Sequence, residues 1–119
     1  MHTRRIGSLE VSAIGLGCMS LSHAYAPRPT PESAAALLRA ALDAGVTLFD
    51  TAMLYGNGAN EALIGRTLGA DRSRFVLASK GGMDVVDGRR TIDGRPQTIR
   101  QNCEESLSRL GTDVIDLYY

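Results

Sequence analysis

The stretch Gly45-Val46-Thr47-Leu48-Phe49-Asp50-Thr51-Ala52 decides how this chain is read. Gly45 suits the left-handed turn that closes a helix. Val46 to Phe49 is a short apolar run with β-branched residues, as expected of a buried strand. The run ends on Asp50, a carboxylate set directly after the strand. Upstream, Thr30-Pro31-Glu32 opens a helix, with Thr30 as N-cap and Pro31 in the first turn, where its missing N–H costs nothing. Leu37, Leu38, Ala41 and Leu42 then recur at helical spacing. A helix, a glycine stop and a buried strand make one half of a βαβ unit.

The same unit repeats on both sides. Val11 to Leu16 is an apolar run closed by Gly17, the first strand. Arg4 to Ile6 and Leu9 to Ser12, joined by Gly7-Ser8, read as a small hairpin before it. A second helix spans Asn60 to Leu68, with Leu63, Ile64 and Leu68 apolar, and a third strand runs from Phe75 to Ala78 into Ser79 and Lys80. Gly81 to Arg95 is polar and rich in Gly, Asp and Arg, and reads as a long loop. A third helix starts at Pro96, aligns Ile99, Cys103, Leu107 and Leu110, and stops at Gly111; Val114 to Leu117 is the fourth strand. The strand ends fall at 16, 50, 80 and 117, at intervals of 34, 30 and 37 residues, matching βαβ units of about 30 residues or more. Alternating strands and helices imply a parallel sheet with right-handed crossovers. Four such units begin either a doubly wound sheet or a barrel, and the spacing leaves both open.

Composition narrows the function. Hydrophobic residues are 44% and charged residues 22% of 119, and 13 basic side chains balance 13 acidic ones. That balance gives no footprint for nucleic acid or an anionic membrane. Arg4 and Arg5 are followed by Ile6-Gly7-Ser8 rather than an apolar signal core, and no run approaches a bilayer span, so a cytoplasmic location is expected. Cys18 and Cys103 lack metal-ligand spacing and read as reduced thiols; no metal site is expected.

Two groups of residues invite a chemical reading. Gly15-Leu16-Gly17-Cys18-Met19-Ser20 imitates a dinucleotide-binding glycine turn. Its third glycine is replaced by Ser20, no helix opens there, and no acidic residue follows at about 20 positions, so a Rossmann site is rejected. The other group is distributed. Asp50 and Lys80 stand directly after successive strands, and Tyr55 lies in the loop after Asp50. All three fall on the C-terminal rim of the sheet, where β/α barrels gather catalytic groups. Singly, each reads as an ordinary rim residue; together they make a proton donor. A phenol is a poor acid at neutral pH, a neighbouring ammonium makes it a better one, and a carboxylate keeps that ammonium in place. A strand-end lysine also permits Schiff-base chemistry.

These residues resemble a known family. The run Gly45 to Ala52, then Tyr55-Gly56, Asn60-Glu61, Leu63 and Gly65, is similar to the signature of aldo-keto reductases. So are Val11-Ser12 and Ile14-Gly15-Leu16-Gly17, and so are Ser106-Leu107, Arg109-Leu110-Gly111 and Asp116-Leu117-Tyr118-Tyr119. The resemblance implies an α/β fold of TIM type, a (β/α)8 barrel, of which this chain supplies the N-terminal half, about four β/α units preceded by the short hairpin. Residues 1–119 would form one incomplete barrel domain. It implies NADP(H)-linked reduction of aldehydes or ketones to alcohols, with Tyr55 as proton donor, Lys80 tuning it and Asp50 pairing with Lys80. Gly17, Cys18, Met19 and Asp50 would meet the nicotinamide end of the cofactor. The family's catalytic His would lie just past Tyr119; His2 and His23 do not replace it by position, and His23 is expected on a surface loop, with the mouth of the substrate site as the alternative. Half a barrel leaves two sheet edges open. The inward side chains Leu16, Leu48, Val76 and Leu117 would then lack packing, so the chain alone is expected to be inactive and to self-associate through its edges. The alternative is a non-catalytic half-barrel serving as a binding or assembly module.

Overall fold

The computed structural model describes residues 1–119. The chain opens with an antiparallel hairpin, β1 (Thr3–Ile6) and β2 (Leu9–Ser12), turned at Gly7, whose φ of +58° needs no side chain to be accommodated. Then come β3 (Leu16–Gly17), α1 (Pro31–Asp43), β4 (Leu48–Asp50), α2 (Ala59–Leu68) and β5 (Val76–Ser79). A second hairpin, β6 (Met83–Val86) and β7 (Arg89–Ile92), precedes α3 (Pro96–Leu110) and β8 (Leu117–Tyr118). Strands β3, β4, β5 and β8 form one parallel sheet in sequence order. This is a barrel-type progression without a reversal of strand order.

The helices pack on one face of that sheet. Thr30 caps α1 by accepting from the Ser33 amide at 3.2 Å, and Ala34, Leu38 and Leu42 turn one line of α1 inward. They meet Leu63, Ile64 and Leu68 of α2, Leu110 of α3, and Phe49, Phe75 and Leu77 from the sheet side. Phe49 and Phe75 meet edge to face at 5.3 Å. Each fully buried Leu or Phe in this cluster contributes about 1.5–3 kcal/mol. Alternation puts Leu48, Asp50 and Val76 on the opposite face of the sheet. Leu48, Val76 and Leu117 are only half-buried. The accessible surface is 7075 Å², roughly an eighth above the ~6,200 Å² expected for a folded chain of this mass.

Several expectations need correction. Only Leu16 of the run Val11 to Leu16 joins the parallel sheet. Val11 and Ser12 are taken up by antiparallel pairing with Arg4 and Thr3, and the Ser12 hydroxyl bends the chain by donating to the Ile14 carbonyl and accepting from the Thr47 amide. Leu16, expected to face inward, pairs with Phe49 and packs against the helix-side cluster. Leu37 is 48% exposed although Leu38 beside it is buried, because the inward line of α1 follows Ala34-Leu38-Leu42. The fourth strand is Leu117–Tyr118, and Val114 lies exposed before it. Gly81 to Arg95 is not a featureless loop. Asp87 and Gly88 both have positive φ, +51° and +73°, so they form the Asp-Gly turn that matches the twist of a tight hairpin.

Candidate active site

The sheet order delivers three side chains to one rim. Asp50 is the last residue of β4, and Lys80 directly follows β5, its neighbour. Lys80 Nζ donates to Asp50 Oδ1 at 2.5 Å and to the Thr51 carbonyl at 2.8 Å. It also lies 5.2 Å from the centre of the Tyr55 ring and 5.5 Å from that of Tyr119, within range of a cation–π attraction. Two of the three ammonium protons are thereby engaged by acceptors on the β4 side, and one remains for a further partner. Lys80 is the single lysine of the chain; every other of the 13 basic side chains is an arginine. The expected trio of Asp50, Tyr55 and Lys80 is brought together.

Beside the trio lies a cleft of about 330 Å³, lined by Ala52, Met53, Leu54, Tyr55, Lys80, Gly81, Met83 and Tyr119. Its wall is mostly apolar, and Lys80 is its one charged residue. Met83 reaches the cleft from the second hairpin. Gly81 lets the chain pass close to Tyr118 at this corner, since a Cβ there would collide with the Tyr118 hydroxyl. Among His, Cys, Asp and Glu side chains, no group of three could hold a metal ion.

The loop after β3 closes the other side. Gly17 pairs with Asp50, and the Cys18 amide donates to the Asp50 carbonyl at 2.8 Å. The Cys18 thiol points into the core, where burial first and the Asp50 charge second push it up to about 12. Met19 is half-buried at the start of a 3-10 turn, Met19–Leu21. His23 is not the free loop residue expected: its ring stacks on Tyr55 at 5.7 Å, and its Nδ1 accepts from the Gly56 amide at 3.4 Å. The turn Tyr55-Gly56-Asn57-Gly58, with positive φ at its last three positions, folds Tyr55 back under this loop.

Beneath the rim lie two polar residues that the sequence offered only as part of a motif. Asn60 and Glu61, at the start of α2, are both fully buried. Asn60 accepts from the Thr51 hydroxyl at 2.7 Å and donates to the Cys18 carbonyl at 2.8 Å and the Ser22 hydroxyl at 2.6 Å. Glu61 accepts from the Ser79 hydroxyl at 2.6 Å and is paired with Arg109 of α3 at 2.6 Å.

The sequence profile of the aldo/keto reductase family matches residues 13–119. The chain belongs to the aldo-keto reductase family. Its fold agrees. It is similar to the holo form of an aldo-keto reductase from Bacillus halodurans, at 35% identity and a TM-score of 0.88, over 99% of this chain and 39% of that one. A glycerol dehydrogenase from Gluconobacter oxydans matches at 31% identity and a TM-score of 0.83, over 98% of this chain and 38% of the other. An aldo/keto reductase from Klebsiella pneumoniae, solved with NADP and acetate, matches at 33% identity and a TM-score of 0.71, over 92% and 35%. The chain thus spans less than half the length of these relatives. It corresponds to the N-terminal part of their (β/α)8 barrel, the fold that the resemblance implied. No helix is long and apolar enough to cross a membrane.

Proposed function

We propose that this chain carries the proton-transfer half of an NADP(H)-dependent oxidoreductase that reduces a small aldehyde or ketone to an alcohol. The observation that carries the reading is the meeting of Tyr55 and Lys80 at one mostly apolar cleft, with Asp50 paired to Lys80. Tyr55 is the proton donor to the carbonyl oxygen. Lys80 stabilises the phenolate left behind, as an ammonium beside a phenol does. Asp50 and the Thr51 carbonyl hold that ammonium, which argues for a fixed cation and against a Schiff-base amine. Met53, Leu54 and Met83 exclude water from the reacting atoms. A small carbonyl compound fits the volume and polarity of the cleft; nucleic acid and membrane do not enter the reading, and the setting is cytoplasmic.

The residues present fit the nicotinamide end of the cofactor. Gly17 is exposed, with open space where a Cβ would stand, and Met19 is half-buried, so both can border the ring beside Asp50, while the fully buried Cys18 anchors the loop from below through its amide on the Asp50 carbonyl. The cleft's one cation, Lys80, is already paired, so nothing at the site cradles phosphates. When bound, the reduced cofactor supplies the hydride.

We further propose that residues 1–119 act as one incomplete barrel domain, inactive while the face carrying Leu48, Val76 and Leu117 lies open. The same half-bare face favours self-association through the edges β3 and β8, and with it the alternative of a non-catalytic assembly module. A fluorescence titration with NADPH separates the two, run on the chain alone and with the separately produced C-terminal half of a solved relative. Saturable binding that Asp50→Ala removes, with carbonyl reduction lowered about 10²–10⁴-fold by Tyr55→Phe, supports the reductase. No binding by the chain in either form overturns it and leaves the module.

A further inference from the structure

The chemistry at the rim depends on where Lys80 Nζ sits, and Lys80 is held by groups on two separate strands. Thr51 lends its carbonyl from the end of β4, and Lys80 itself hangs from the end of β5. Backbone bonds still join the two ends past the ladder, from the Thr51 amide to the Ala78 carbonyl at 2.9 Å and from the Met53 amide to the Lys80 carbonyl at 3.2 Å, but they leave the strand-end side chains free. Side chains from the first turn of α2 add a second tie to both ends. Asn60 takes the Thr51 hydroxyl, and the adjacent Glu61 takes the hydroxyl of Ser79, the residue before Lys80. Each prong is anchored at its other side, Asn60 on the Cys18 carbonyl and Ser22 hydroxyl, Glu61 on Arg109.

Two adjacent, fully buried polar side chains at the start of a helix are costly unless every hydrogen-bonding group finds a partner. Here both amide protons and the carbonyl of Asn60 are used, and both carboxylate oxygens of Glu61. An apolar pair would fill the same space without that demand. It would not tie down two strand ends and the loop after β3 at once. We infer that Asn60 and Glu61 are positioning residues, a two-pronged clamp that anchors the Asp50–Thr51 and Ser79–Lys80 strand ends to α2 and so, together with the backbone bonds between those ends, holds Lys80 Nζ at its place. The importance of that place rests on the reductase reading; the clamp itself does not.

The single lysine gives a direct readout. Reductive methylation with formaldehyde and cyanoborohydride modifies only Lys80 and the N-terminal amine, and mass spectrometry reports the first relative to the second. The test uses Thr51→Val and Ser79→Ala, each of which removes one hydroxyl at a strand end without touching α2. Each is expected to raise the rate at Lys80 about threefold or more, a modest part of the hold that a hydrogen bond to a charged group supplies. Leu42→Ala, a cavity in the core at the far end of α1, is the control for general loosening, and its Lys80 rate is expected to stay at the wild-type value. Rates are compared where circular dichroism shows all variants folded, and if Thr51→Val does not fold, Ser79→Ala decides alone. Unchanged reactivity in the hydroxyl variants, or an equal rise in Leu42→Ala, overturns the clamp. Neither cofactor nor turnover enters the measurement. A confirmed clamp in a chain that never binds NADPH would refute the reductase reading and leave this one standing.

Discussion

Replacing Arg109 by Met tests the buried ion pair through its energetics. The Glu61 side chain is 0% exposed and Arg109 is 28% exposed, with Nε and Oε2 2.6 Å apart. Met keeps most of the apolar stem of Arg109 and removes its charge. It leaves a carboxylate in the interior with only the Ser79 hydroxyl as donor. Breaking a buried pair from one side costs about 3–5 kcal/mol; the retained hydroxyl favours the lower end, about 3 kcal/mol. For a chain of this size that is a fall in Tm of about 12 °C, at ~4 °C per kcal/mol. Glu61→Gln alone is milder, about 1–2 kcal/mol, because Arg109 can turn its guanidinium to water. The decisive arm is the double variant. In the Arg109→Met background, Glu61→Gln removes an unpaired charge and is expected to raise Tm, reversing the sign of its effect in the native chain. Thermal melts followed by circular dichroism supply all four corners of the cycle. A fall of less than about 3 °C for Arg109→Met, equivalent to under 1 kcal/mol, would refute the argument, as would a Glu61→Gln effect of one sign in both backgrounds.

Other perturbations probe other parts of the fold. At Gly65, a Cβ would sit 2.6 Å from the Leu110 carbonyl oxygen; Gly65→Ala therefore forces α2 from α3 and lowers stability in urea by about 1–2 kcal/mol, despite the better helix propensity of Ala. A stabilised variant would show that the two helices can part without cost. Cys18 is buried and Cys103 half-buried, so iodoacetamide should label Cys103 alone in the folded chain, and labelling of Cys18 at a comparable rate would contradict its placement. The folded Cys18 thiol is raised from 9.0 to about 12, so the native state keeps a proton that the unfolded chain gives up. Its contribution is present below pH 9 and is lost as pH rises from 9 towards 12. Cys18→Ala should flatten that alkaline decline, with the residual slope coming from Tyr118, which burial also pushes up to about 12.

The parallel order of strands was legible because glycine stops, caps and apolar runs recur at a regular interval, and the rim trio was legible because strand ends reveal where side chains emerge. Strand lengths were not. Val11 reads as part of the run that ends at Leu16, and only its pairing with Arg4 assigns it to another sheet. The second hairpin was missed although Asp87-Gly88 is a strong turn signal, because the flanking residues are exposed on both faces and the adjacent pairs Val85-Val86 and Arg89-Arg90 break any alternation. The place of His23 near the site was only the second reading, because nothing local predicts a stack on Tyr55 across 32 positions of sequence. Asn60 and Glu61 stood in plain view as motif residues, but polar side chains at a helix start look solvated until the elements around them are assembled.

The sheet is dry on one side and half-bare on the other, and this bears on how the chain yields to denaturant. Unfolding releases chiefly the helix-side cluster, so the newly wetted apolar area is smaller than 119 residues would ordinarily provide. The slope of stability against urea and the heat capacity of unfolding both follow that area. The chain should therefore unfold over a broad, shallow transition, with a stability curve flatter in temperature than that of a closed domain of equal length. Whatever covers Leu48, Val76 and Leu117 would sharpen it.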